Sequence, residues 1–74
     1  MFLLLNLNCL LNKVNYVWDF CLKNCVGFVG IVETWLTDVV NSSVVNIPGF
    51  TFIRNDSPSG IAKHGVGIYL RNDI

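Results

Sequence analysis

Glu33 and Asn6 are the residues of this chain whose types and positions could do chemistry together. Glu33 closes the apolar run Val26-Gly27-Phe28-Val29-Gly30-Ile31-Val32 and opens Glu33-Thr34-Trp35-Leu36, while Asn6 ends an earlier apolar run. A carboxylate at the end of a buried strand costs desolvation free energy unless a cation or a hydrogen-bond network compensates it. The pairing of Glu33 with Asn6 points toward a divalent-metal site. On spacing alone, a Glu33 that simply sits in a solvated loop is the simpler reading. Asn8 is a weaker candidate, sharing a face with Asn6 if Leu5-Asn6-Leu7-Asn8 is extended.

The elements needed to position these groups can be read from periodicity. Residues 2–8 read as a buried strand, and residues 26–32 as a second, fully covered one, too short and β-branched for a helix. Between them, Asn12 is a plausible N-cap for an amphipathic helix with Val14, Trp18, Cys21, Leu22 and Cys25 on its packed side. Lys13, Asn15, Asp19 and Lys23 fall on the other side, with Asp19 and Lys23 spaced for a surface ion pair. Strand, helix and strand in that order predict a parallel βαβ unit. A right-handed crossover would bring the C-terminal ends of both strands, with Asn6 or Asn8 and Glu33, to one edge. Residues 37–46 read as irregular and Ile47-Pro48-Gly49 as a turn. Phe50–Arg54 and Val66–Leu70 then form a β-hairpin whose loop, Asn55-Asp56-Ser57-Pro58-Ser59-Gly60, is expected to be long and mobile.

Composition bounds what such a unit can be. A chain of 74 residues makes at most one domain and buries only roughly 60% of the surface it exposes when unfolded. Yet 53% of it is hydrophobic and 14% charged, too little polar surface for a freestanding two-layer domain. We expect a partial domain spanning residues 1–74, with its C-terminal half absent and with exposed apolar surface that promotes self-association. Five basic and five acidic residues balance, which gives no whole-chain electrostatic footprint for nucleic acid. Lys63, His64 and Arg71 read as a solvated edge. Cys9, Cys21 and Cys25 cannot all pair within one chain and lack zinc-knuckle spacing, which fits a reducing intracellular setting. Cys21 and Cys25 read as buried small hydrophobes. The opening Met1-Phe2-Leu3-Leu4-Leu5 has no basic flank and is interrupted by Asn6, and every apolar run is too short to span a membrane.

Four ordered segments add a family resemblance. Leu5-Asn6-Leu7-Asn8-Cys9-Leu10-Leu11-Asn12-Lys13 resembles the first strand and helix start of the endonuclease/exonuclease/phosphatase superfamily. Within it, the match is to the endonuclease domain of LINE-type non-LTR retrotransposons, near its N-terminus. Glu33-Thr34-Trp35-Leu36 resembles the second motif, 33 minus 6 or 27 residues after Asn6. Asn46-Ile47-Pro48-Gly49-Phe50, then Arg54-x-Asp56, then Gly65-Val66-Gly67-Ile68-Tyr69-Leu70-Arg71 follow in the order those endonucleases show. Thr34-Trp35-Leu36 and Pro48-Gly49-Phe50 suit the retrotransposon branch better than a phosphatase or DNA-repair nuclease of the same superfamily.

The resemblance implies an α/β fold, the N-terminal portion of a DNase I-like αββα sandwich. It implies Mg2+ (or Mn2+) held by the residue matching Glu33, and a phosphate-orienting role for the residue matching Asn6. DNA would be the partner of a full-length parent acting in the nucleus, with no small-molecule cofactor and no membrane. The water-activating Asp/His groups of such enzymes lie beyond the matched region, and His64 does not match them, so the chain alone is expected to be inactive. A competing reading is a non-enzymatic remnant acting, if at all, as a small interaction or oligomerising module.

Overall fold

A computed structural model describes residues 2–56 and 64–73. It contains β1 (Phe2–Asn6), α1 (Val14–Asn24), β2 (Phe28–Val32), β3 (Phe50–Asn55) and β4 (Val66–Arg71), with short 3-10 turns at Leu10–Asn12 and Ser42–Val45. The strands form one sheet in the order β1-β2-β4-β3. β1 and β2 are parallel, while β4 runs antiparallel to both of its neighbours. The strand-helix-strand order and the following hairpin are as the sequence predicts, but β1 stops at Asn6 rather than residue 8 and is buried on one side only, with Phe2 and Leu4 exposed on the other. The proposed tip of the hairpin lies mostly outside the described residues.

Period-two alternation separates the two faces of the sheet. One face carries the rungs Leu3–Val29–Tyr69–Phe52 and Leu5–Ile31–Gly67–Arg54. This face forms the core with α1 and the turns, through Leu10, Val17, Cys21, Val26, Leu36, Val45 and Ile47. Tyr69 stacks on Phe52 at 4.3 Å, and its hydroxyl donates to the Val45 carbonyl. Gly67 lets the Phe52 ring lie flat, because a Cβ at that position would collide with it. The opposite face carries Phe2–Phe28–Leu70–Thr51, Leu4–Gly30–Ile68–Ile53 and Asn6–Val32–Val66–Asn55.

The helix differs from the sequence reading in phase and in cap. Val17 and Cys21 are its buried residues, whereas Trp18, Leu22 and Cys25 are exposed. Apolar residues occur all around this helix, so two stripes compete, and the narrower Val14–Val17–Cys21 stripe fits the sheet. Asn12 belongs to the preceding 3-10 turn, and α1 starts after Lys13 with no side-chain cap. Cys25 ends it in the left-handed region at φ 52°.

The segment between β2 and β3 is held by one side chain. Arg54 donates to the carbonyls of Thr37 and Val40 at 2.9 and 2.8 Å, and to the Ser42 hydroxyl at 3.1 Å. It also pairs with Asp56 at 2.6 Å, the two side chains being only 15% and 19% exposed. The hydrogen bond to Asp56 raises the guanidinium pKa above its ordinary value, against the lowering effect of burial. The ion pair thus also anchors a loop.

Candidate functional site

Parallel pairing aligns Asn6 with Val32, so the chains leaving β1 and β2 emerge at the same edge of the sheet. Glu33 is the next residue, and the Asn6 side-chain amide donates to its Oε2 at 2.6 Å. Two residues 27 positions apart are thereby joined as the spacing anticipates. A charge-assisted bond from a neutral amide orients a carboxylate without cancelling its charge.

Glu33-Thr34-Trp35-Leu36 is stitched on both sides. The Glu33 and Thr34 carbonyls accept from the Cys9 and Leu10 amides at 3.1 and 2.9 Å. On the other side, the Thr34 and Trp35 amides donate to the Gly65 and His64 carbonyls at 3.1 and 2.8 Å. Thr34 is fully buried and Glu33 half-buried. The motif thus acts as a frame that fixes where the Glu33 backbone stands.

That frame imposes unusual backbone. Glu33 and Trp35 adopt φ of 56° and 57°, while Asn8 and Cys9, across from them, adopt 50° and 92°. Left-handed backbone at a non-glycine residue costs on the order of 1 kcal/mol and persists only where surrounding structure enforces it. Four of the five such residues among those described gather at this edge of the sheet.

The other sequence candidates are arranged differently. Asn8 lies beyond the end of β1 in a bend, so strand alternation does not carry it onto the Asn6 face; its carbonyl, at 2.9 Å, accepts from Lys13 Nζ. Lys13, read from sequence as part of a solvated helix side, instead turns back and also binds the Leu7 carbonyl at 2.6 Å. It secures the turn behind Asn6. Only the place of Lys13 at the end of the first motif could have signalled this. His64 is exposed and meets the site through its backbone carbonyl. Lys63 lies outside the described residues.

The donor set suits one side of a magnesium site. Magnesium prefers hard oxygens and is commonly held by one or two carboxylates plus water and substrate phosphate. Glu33 offers such a carboxylate, aimed by Asn6. Among the described residues, no group of three or more His, Cys, Asp or Glu could hold a metal ion. A cavity of about 430 Å3 opens elsewhere, lined by Cys21, Val26, Phe50 and Arg71 among others, and includes neither Asn6 nor Glu33. Its lining comes from the helix end, the Pro48-Gly49-Phe50 turn and the β4 exit.

No family model matches the sequence, and no curated protein matches it by sequence. Among solved structures, the fold is similar to the AP endonuclease LMAP from Leishmania major, at 21% identity and a TM-score of 0.75. The alignment covers 96% of this chain and 23% of that one. This chain thus has the fold of under a quarter of the AP endonuclease. Among the described residues, no helix is long and apolar enough to cross a membrane.

Proposed function

We propose that this chain is the N-terminal portion of a metal-dependent DNA endonuclease domain of the endonuclease/exonuclease/phosphatase superfamily, from the LINE-type retrotransposon branch. The observation that carries this reading is the Asn6-oriented Glu33 carboxylate at the common edge of two parallel strands. The similarity to part of an AP endonuclease supports the nuclease fold. The ordered motifs Asn6-x-Asn8, Glu33-Thr34-Trp35-Leu36 and Pro48-Gly49-Phe50 favour the retrotransposon branch.

In this reading, Glu33 supplies a hard oxygen to Mg2+ (or Mn2+), and Asn6 holds the carboxylate in one orientation through its Nδ2 hydrogen bond. Bound metal would supply polarisation of a scissile phosphate and stabilisation of charge on the leaving oxygen. Lys13 keeps the turn behind Asn6 in place. The water-activating groups belong to the remainder of a complete domain, so the 74-residue chain does not cut DNA alone. A complete parent would nick target DNA in the nucleus to prime reverse transcription.

Magnesium titration followed by NMR tests the anchor. We expect shifts at the Asn6 side-chain amide and the Glu33 backbone, with a Kd no tighter than about 1 mM for a single carboxylate. Glu33→Gln should abolish them, while Asp19→Asn, at an exposed acid on α1, should leave them unchanged. Shifts that survive Glu33→Gln would remove Glu33 as the ligand. A supercoiled-plasmid assay with magnesium should show no nicking by this chain. Robust nicking lost in Glu33→Ala would overturn the assignment of inactivity.

A further inference from the structure

We infer that Lys13 is a positioning residue for Glu33, acting through the one peptide unit that links Asn8 to Cys9; this role presupposes Glu33 as the magnesium anchor proposed above. The Lys13 ammonium donates to the Leu7 and Asn8 carbonyls at 2.6 and 2.9 Å. At the other end of the Asn8-Cys9 peptide, the Cys9 amide donates to the Glu33 carbonyl at 3.1 Å. A trans peptide is a rigid plate whose carbonyl and N–H point in opposite directions, so Lys13 grips it from one side and Glu33 from the other. Hydrogen bonds in series polarise one another, and an ammonium at the carbonyl end makes the N–H a stronger donor. Glu33 is thereby held at two points from the β1 exit, its carbonyl by Cys9 and its carboxylate by Asn6 at 2.6 Å.

Two further observations separate this role from support of the helix. Lys13 occupies the N-cap position of α1, makes no side-chain cap there and is followed by no acid in the first turn. Serine, threonine, aspartate or asparagine would cap that end better, and a cation at a helix N-terminus opposes the dipole. Lysine is thus a poor residue for starting α1, and its ammonium turns back to the β1 exit instead. The gripped peptide also joins two residues in left-handed backbone, Asn8 at φ 50° and Cys9 at φ 92°. Such a conformation persists only where contacts enforce it. The Leu7, Cys9 and Leu10 amides, bonded to the Val32, Glu33 and Thr34 carbonyls, enforce it from the β2 side. Lys13 closes the opposite side, with its aliphatic stem lining an apolar crevice beside Leu5, Leu7 and Val17.

NMR of the purified chain, first without metal and then with added magnesium chloride, tests this role. Lys13→Met keeps the aliphatic stem and removes the ammonium. In the metal-free chain it should move the Cys9 amide proton upfield, speed its exchange with solvent and disturb the Asn6 side-chain amide, while the amides of β3 and β4 stay in place. In the titration it should weaken the magnesium response at Glu33 about tenfold, the low end for losing an outer partner of a metal ligand. Lys13→Ser, a better helix cap, should do the same while α1 keeps or gains helicity, and it serves as the second variant should Lys13→Met not fold. Tyr69→Phe, which loosens the core, should leave the Cys9 and Asn6 signals unchanged. Unchanged Cys9 and Asn6 amides in a folded Lys13 variant overturn the inference, as does an equal response to Tyr69→Phe. A wild-type chain with no magnesium response refutes the metal reading instead, and the metal-free Cys9 signal then decides by itself whether Lys13 positions Glu33.

Discussion

Two carboxylates in this molecule are held in opposite ways. Asp56 is matched by Arg54, whose guanidinium also gathers the Thr37, Val40 and Ser42 oxygens. Glu33 is met by the Asn6 amide. A paired and enclosed charge is neutralised and has become part of the scaffold. A neutral amide fixes the orientation of a carboxylate without supplying a counter-charge. Adding the left-handed backbone at Glu33 makes the contrast sharper: one acid sits where it stabilises, the other where the backbone is strained.

The contrast can be broken most directly at Arg54. Arg54→Ala should lower stability by about 3 kcal/mol, because Asp56 would remain enclosed without its cation and three loop contacts would be lost. Chemical denaturation of the purified chain measures this; a loss under about 1 kcal/mol would refute a structural role.

Tyr69→Phe comes next, at about 1 to 2 kcal/mol, since the Val45 carbonyl would lose its buried donor. This site also sets a pH dependence. Burial first, then the proximity of Cys21, holds the Tyr69 phenol well above its ordinary 10.0, and burial likewise raises the Cys21 thiol above 9.0. The folded chain therefore keeps protons that the unfolded chain releases. Their contribution is fully present below pH 9 and is lost progressively as pH rises through and beyond 10. Tyr69→Phe should flatten the alkaline part of that decline in melts recorded across pH.

Glu33→Gly should have the opposite sign. Relief of the left-handed conformation should raise stability by up to about 1 kcal/mol, visible as a higher melting temperature. A clear drop would mean that the carboxylate itself stabilises the chain. Smallest of all, Glu33→Gln should change stability by less than about 0.5 kcal/mol while removing the magnesium response. If it destabilised as much as Arg54→Ala, the two acids would be alike and the distinction would fail.

The sequence revealed the skeleton because alternation and short apolar runs constrain strands strongly. Leu5-Asn6 and Val32-Glu33 mark two strand ends, and a parallel crossover leaves one way to bring them together. The helix was less readable because Val14, Tyr16, Val17, Trp18, Phe20, Cys21 and Leu22 offer apolar groups in several directions. Only packing against the sheet selects Val17 and Cys21. The reach of Arg54 to Thr37 and Val40 depends on a loop path that local spacing does not encode. Nor does a Glu-Thr-Trp string announce positive φ, which arises from hydrogen bonding to chain segments on both sides.

The twisted backbone at Glu33 and Trp35 also bears on how this chain can change over generations. A population selected only for folding would find glycine at position 33 an easy improvement, and would lose the carboxylate in accepting it. Retention of glutamate there among descendants of this sequence would therefore record selection for something other than stability. Drift to glycine would date the end of that selection.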